Sequence, residues 1–356
     1  MRIFALAALC CLPLSAATFP EPKEADFTVR DFRFASGETL PELRQHYRTI
    51  GEIRRDARGN VTNAVLIMHG TGGTGKAFTS DRFGGLVFGA GQTLDATKYF
   101  IILPDGIGHG GSSKPSDGLR MKFPKYGYGD MVEAQHRLVT EGLNINHLRL
   151  VMGTSMGAMH SWLWAERWPT FMDAAMPLAS APVQLAGRNR MFRRMIMDAI
   201  QNDPEWNQGI YTRQPRGMDD AFHTLYVMTS APLWNHTQAP TRDEADKLIE
   251  DYIANQRRNN DANDMLYQYD ASRDYDPSKD LEKIQVPLYA VNSADDQVNP
   301  PELGILEREI RRVKRGRYIL LPITPETRGH GTHSLPAVWG KYLKELIEES
   351  NGTTHF

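Results

Sequence analysis

"LRLVMGTSMGAMH", residues 148–160, decides how the chain is read: an apolar run, a turn of small residues, then the opening of an amphipathic helix. In Gly153-x-Ser155-x-Gly157 the glycines let the backbone turn sharply between strand and helix, which lifts a serine hydroxyl above the carboxyl ends of a parallel sheet. The pentapeptide alone is a weak signal, since a chain of this size contains one by accident roughly one time in ten at average glycine and serine usage. Its place between a buried strand and a helix gives it weight.

A serine hydroxyl is a poor nucleophile near neutral pH and needs a base within hydrogen-bond reach. On a sheet of this kind the expected chain order is serine, then a carboxylate after a late strand, then a histidine after the last strand. "VPLYAVN" (286–292) runs into Asp295 and Asp296, and "GRYILLPI" (316–323) is followed by His330 and His333. Asp296 is assigned as the orienting carboxylate because it precedes Pro300 by four residues, as the acid does in related hydrolases. His330 follows Gly329 in a loop of small residues that can bend toward Ser155, so it is assigned as the base, with His333 as the alternative. An H-x-x-H metal site would need a third ligand motif, and none accompanies the two histidines.

Upstream, "HGTGGTGKAF" (69–78) follows the apolar run "NAVLIM" and satisfies G-x-x-x-x-G-K. A phosphate loop would continue with Ser or Thr to ligate magnesium, whereas this one continues with Ala77. "YFIILPD", ending at Asp105, imitates the strand and carboxylate of such enzymes. The other reading is an oxyanion loop, with the backbone N–H groups of Thr71 and Met156 as the two donors. On that reading Lys76 has no catalytic role and His69 packs at the strand end.

Between residues 60 and 183, short apolar runs alternate with amphipathic stretches, the pattern of a parallel sheet covered by helices on both faces. Residues 184–275 carry helical spacing without a continuous apolar strand and read as a helical lid inserted between two parts of one core, 18–183 and 276–350. Arg190, Arg193, Arg194, Trp206 and Tyr211 are candidate pocket walls in that lid, with packing of the insertion the expected role of each.

Residues 1–17 have Arg2, an apolar stretch from Ile3 to Leu14 and the small residues Ser15-Ala16-Ala17, the layout of a cleaved export signal too short to remain as a membrane anchor. Cleavage after Ala17 would remove Cys10 and Cys11, so thiol chemistry and disulfides are not expected in the mature chain. The charge of −2 on 356 residues offers no electrostatic case for nucleic acid.

Beyond the elbow, "HYRTIGEIRRDARGNVTNAVLIMHG", "KFPKYGYGDMVEAQHRLVTEGLNINHLRLVMGTSMGAMHSWLWAERWP" and "AIQNDPEWNQGIYTRQPRGMDDA" resemble the homoserine O-acetyltransferase branch of the α/β-hydrolase superfamily. The resemblance implies the α/β-hydrolase fold, a triad of Ser155, Asp296 and His330, an acyl-serine intermediate, no metal or cofactor, and a homodimer formed through the lid. Three departures mark this chain: Gly157-Ala158 where the branch has two glycines, His69-Gly70-Thr71-Gly72-Gly73 in place of His-Ala-Leu-Thr-Gly, and Gly331 where an Asp follows the histidine. With the export signal, they favour hydrolysis of a small carboxylic ester over acyl transfer to a hydroxyl acceptor. A catalytically silent binding protein on the same scaffold is the reading from another class.

Overall fold

The computed structural model describes residues 18–351; residues 1–17, read above as an export signal, lie outside the described residues. Eight strands form one sheet in the order β1-β2-β4-β3-β5-β6-β7-β8. They are β1 (Lys23–Arg33), β2 (Thr39–Ile50), β3 (Ala64–Met68), β4 (Phe100–Pro104), β5 (Leu150–Thr154), β6 (Ala175–Leu178), β7 (Leu288–Ser293) and β8 (Gly316–Leu321). β1 and β2 pair antiparallel, β2 pairs antiparallel with β4, and every other pairing is parallel.

Every residue of β3, β4 and β5 is buried. Such runs form strands because both faces are covered, and alternation sorts their side chains into two layers. Leu66, Met68, Ile102 and Val151 enter one layer, with Met131, Trp162 and Leu163. Val65, Ile67, Ile101 and Met152 enter the other, with Trp339, Leu343 and Leu346. The helices that supply these covers and the cap are α1 (Gly84–Val87), α2 (Tyr128–Arg137), α3 (Met156–Arg167), α4 (Gly187–Gln201), α5 (Gly217–Thr229), α6 (Pro232–Gln238), α7 (Arg242–Asn259), α8 (Ala262–Asp270), α9 (Ile305–Glu309) and α10 (Pro336–Glu349).

Helices α4 to α8 occupy the stretch between β6 and β7. α4, α5, α7 and α8 share a third apolar cluster built on Phe192, Ile196, Met218, Phe222 and Leu266, to which the core loop after β7 adds Val298. α8 is stitched to the core by polar bonds. Asp264 accepts from the Ser116 N–H at 2.8 Å and the Ser116 hydroxyl at 2.6 Å, and the Gln268 amide donates to the Gly108 carbonyl at 2.8 Å. The chain leaves β3 toward β4 on one side and returns through β5 on the other, so the loops at the carboxyl ends of these central strands open onto a crevice.

Candidate active site

Ser155 sits between β5 and α3 with φ 53° and ψ −111°, a conformation L-residues rarely hold unless their surroundings impose it. The flanking glycines are steric requirements. A Cβ on Gly153 would lie 2.2 Å from the Gly157 carbonyl oxygen, and one on Gly157 would lie 2.0 Å from the Met68 carbonyl oxygen. The Ser155 N–H donates to the Leu178 carbonyl at 2.8 Å and its carbonyl accepts from the Met159 N–H at 3.0 Å, which pins the bend from both sides.

The loop after β8 brings His330 to this bend. Its Nε2 is 2.8 Å from Ser155 Oγ, and its Nδ1 is 2.9 Å from Asp296 Oδ2. A neutral ring that donates from Nδ1 to the carboxylate and accepts the serine hydroxyl at Nε2 satisfies both contacts. Asp296 is fully buried. It accepts further bonds from the Val298 N–H at 2.8 Å and the Asn299 side-chain amide at 3.2 Å. Burial pushes its carboxyl up, but His330, Asn299 and the Val298 amide outweigh that, and the net displacement is below the usual carboxylate range.

Asp295 has a different task. Its carboxylate accepts from the Ser293 and Thr327 hydroxyls and from the Gly329 N–H, tying the loop that carries His330 to the end of β7. Gly329 there has φ 61°, and a Cβ would lie 2.8 Å from the Ser230 carbonyl oxygen. His333 lines the same pocket, with its ring edge-on to His330 at 5.1 Å between centroids. Burial, aided by His330, drives its pKa down to about 3, so it stays uncharged.

The glycine-rich loop packs directly on the serine: a Cβ on Gly70 would lie 3.2 Å from Ser155 Cβ. The Gly70 carbonyl accepts from His69 Nδ1 at 2.8 Å and from the Gly73 N–H at 3.0 Å. In a trans peptide the next N–H, that of Thr71, points opposite to this carbonyl and so away from both donors. Met156 opens α3, so its N–H has no acceptor within the helix. These are the two backbone donors expected from the sequence, and Thr71 lines the pocket beside Ser155.

His69 does more than pack. Its Nε2 accepts from the Gly106 N–H at 2.9 Å, so one ring fixes Gly70 and the loop after β4 together. Burial lowers its pKa and keeps the neutral tautomer that both bonds need. The phosphate-loop imitation has a physical explanation as well. The Gly75 N–H donates to Asp105 Oδ1 at 2.7 Å and the Gly111 N–H donates to Asp105 Oδ2 at 2.9 Å, so the anion cradled here is the chain's own carboxylate. Lys76 is exposed.

Above the serine lies a pocket of 410 Å³ whose walls include Phe78, Phe83, Phe192, Leu225, Tyr252 and Tyr269. Of the lid residues singled out from the sequence, Arg193 lines it. The others pair elsewhere: Arg190 lies 3.9 Å from Asp270, Arg194 is 2.7 Å from Asp198, Trp206 Nε1 donates to Asn263 at 2.9 Å and the Tyr211 hydroxyl donates to Asp261 at 2.8 Å. Phe192, Leu225, Tyr252 and Tyr269 went unnoticed in the sequence, because helical spacing shows which residues share a face and not which face meets the serine.

Residues 63–315 match the model of the alpha/beta hydrolase fold family. The chain is 30% identical over 281 residues to a probable acyltransferase of Methanothermobacter thermautotrophicus, covering 79% of this chain and 85% of that protein. It is 28% identical to a homoserine O-acetyltransferase of Methanohalophilus mahii, over 76% of this chain and 60% of the relative. It is 34% identical to an ethyl acetate hydrolase of Pseudomonas veronii, over 49% of this chain and 48% of the relative. A serine elbow, a glycine-rich loop packed against it and a late histidine set on one sheet edge accord with these matches, and the chain belongs to the α/β-hydrolase family, as an enzyme of its homoserine O-acetyltransferase-like branch.

Proposed function

We propose that the protein hydrolyses a small carboxylic ester through an acyl-serine intermediate. The observation that carries this reading is the relay from Asp296 through His330 to Ser155, with contacts of 2.9 and 2.8 Å at the floor of an apolar pocket. Ser155 Oγ attacks the ester carbonyl carbon while His330 Nε2 takes its proton, and Asp296 stabilises the imidazolium that forms. The carbonyl oxygen becomes an alkoxide facing the Thr71 and Met156 N–H groups. Collapse expels the alcohol, which takes the proton from His330. Water then repeats the sequence on the acyl-serine, with its proton passing to His330 and back to Ser155. Each oxyanion donor of this kind contributes about 3 kcal/mol to the barrier reduction.

Acyl transfer to a hydroxyl in place of water is the second reading, favoured by the likeness to a probable acyltransferase and to a homoserine O-acetyltransferase. Hydrolysis is preferred because export after cleavage at Ala17, part of the same proposal, removes the chain from a cytoplasmic acyl-donor pool; likeness to an ethyl acetate hydrolase supports it. Pairing of two copies through the lid also belongs to the proposal, supported by Met191, Ile210 and Val227, which are 64%, 61% and 65% exposed. The deciding assay is turnover of short-chain acyl esters by the purified protein, with and without hydroxyl acceptors. Loss of turnover in Ser155→Ala and a product ratio unmoved by acceptors are expected. Turnover that survives Ser155→Ala would remove the reading.

A further inference from the structure

Helix α4 carries four arginines, and three of them have ordinary partners. Arg188 donates to Gln297 at 2.7 Å, Arg190 lies 3.9 Å from Asp270, and Arg194 is 2.7 Å from Asp198. Arg193 is the exception. It is 2% exposed and lines the pocket that holds Ser155 and His330. Its Nε donates to Asn189 Oδ1 at 3.0 Å, and its guanidinium carbon lies 5.6 and 5.8 Å from the ring centroids of Phe192 and Tyr269. Its buried Nη1 has no hydrogen-bond partner; the same holds for Arg190 Nη1, but Arg190 has the Asp270 carboxylate nearby, whereas among the described residues no carboxylate forms an ion pair with Arg193.

A buried guanidinium without a counter-charge is costly, and flanking aromatic rings recover only part of that cost. A bound anion would supply what is missing. The rest of the wall has the same sign: Arg82 stands among the lining residues, and no Asp or Glu does, so an ammonium group entering this pocket would meet cations and no carboxylate.

We propose that the ester cleaved at Ser155 carries a carboxylate received by Arg193 and carries no ammonium group. This rests on the hydrolase reading above and narrows its substrate class to small monoanionic esters. The carboxylate can sit on the acyl side, as in a half-ester of a dicarboxylic acid, or on the alcohol side, as in an O-acyl hydroxy acid. The chemistry offered to Arg193 is the same.

The test compares kcat/KM for four esters of matched size: the half-ester, the O-acyl hydroxy acid, the neutral diester, and the zwitterionic O-acyl amino acid. One charge-assisted hydrogen bond corresponds to a preference for one of the anions over the neutral ester of about 30- to 100-fold, expressed mainly in KM. The zwitterion should fall at least about tenfold below the preferred anion, as expected for a cation left unpaired near Arg193. Arg193→Gln should collapse the anionic-to-neutral ratio toward one, and Arg193→Lys should retain part of it; a ratio is insensitive to the fraction of protein that folds. A wild-type ratio near one, a ratio unmoved by Arg193→Gln, or equal turnover of the zwitterion would overturn the proposal. If no ester is turned over, the hydrolase reading fails by itself. Calorimetric titration of the half-ester into Ser155→Ala, and into the same protein with Arg193→Gln added, then still decides: affinity lost with Arg193 supports an anion site, and equal affinity or none in both removes it.

Discussion

The floor and the roof of the pocket are built by different means. On the floor, positions are set by the backbone: Gly153 and Gly157 let main chains meet around Ser155 at distances no side chain would permit, and Gly70 lets its loop pack tightly on the Ser155 Cβ. On the roof, α4, α5, α7 and α8 reach down with Phe192, Arg193, Leu225, Tyr252 and Tyr269. α7, with eighteen residues, has none fully buried. A floor defined by main-chain sterics holds one geometry for one reaction step, while a roof of side chains on a separate apolar cluster can be altered without moving the serine. On the proposed function, the chemistry is assigned to the sheet edge and the choice of ester to the lid.

The largest effects should come from the floor. On the proposed mechanism His330→Ala should lower kcat on the order of 10⁵-fold, and Asp296→Asn on the order of 10⁴-fold. Their sequence neighbours provide the contrast. His333→Ala and Asp295→Asn should leave kcat within about two orders of magnitude of wild type, because Asp295 touches the relay only through the loop that carries His330, and His333 packs edge-on against a ring whose two nitrogens are already bonded to Ser155 and Asp296. Steady-state kinetics on one short-chain ester reads all four. A His333→Ala protein as inactive as His330→Ala would break the assignment of the base.

A second contrast is electrostatic. His109 and His160 are buried in the core and His333 is half-buried at the pocket wall, and desolvation lowers each pKa, to about 3 for His109 and His333. In the unfolded chain they bind protons near the ordinary histidine value, and in the native state they do not. Their contribution to stability is therefore intact above about pH 6.5 and lost as pH falls toward 3, at about 1.4 kcal/mol per histidine per pH unit. Asp264, at the seam between α8 and the core, runs the other way. Burial raises its carboxyl to about 6 against the pull of the Ser116 bonds, so the native state binds the extra proton and the seam gains stability as pH falls from 6 toward 4. Amide exchange at pH 7 and pH 5 should show core protection falling while protection around Ser116 and Asp264 holds or rises. A uniform change across both regions would argue against separate electrostatic control.

Glycine substitutions sharpen the same comparison at smaller scale. Gly157→Ala places a methyl 2.0 Å from a backbone oxygen that cannot yield, and should cost about 3 kcal/mol or more in chemical denaturation. Gly187→Ala, at the start of α4, meets nothing within 4 Å and carries only the strain of φ 53°, about 1 kcal/mol. Equal costs would mean that the elbow tolerates more movement than its clearances allow.

What could be read in the sequence follows the same division. The elbow, the late carboxylate and the late histidine were legible because each follows a short strand with an apolar run and the chemistry restricts what can stand there. Three strands were not. β1 and β2 are rich in charge and form the antiparallel edge, where one face stays wet, so their apolar residues never run together. β6 is four residues long and contains Pro177, which argues against a central strand; here it lies between β5 and β7. Asp295 and Asp296 could be ordered only by a spacing rule, since adjacent carboxylates at a strand end look alike until one meets an imidazole and the other a loop. Arg193 looked like its three neighbours on α4, because what singles it out is tertiary: it is buried at the pocket that holds Ser155 with no carboxylate beside it.

The smallest expected effect concerns Lys76, the residue that made the glycine-rich loop look like a nucleotide site. A phosphate held there would need the loop amides free, a lysine turned inward and a hydroxyl for magnesium. The Gly75 amide already serves Asp105, Lys76 is exposed, and Ala77 has no hydroxyl. Lys76→Ala should thus shift stability by no more than about 0.5 kcal/mol and leave ester turnover within about twofold. Titration of the wild-type protein with ATP and magnesium should be flat. A heat of binding that disappears with Lys76→Ala would mean that Asp105 yields its amides to a phosphate, and the loop would then have to be read as a switch between two anions instead of a fixed support for the oxyanion donors.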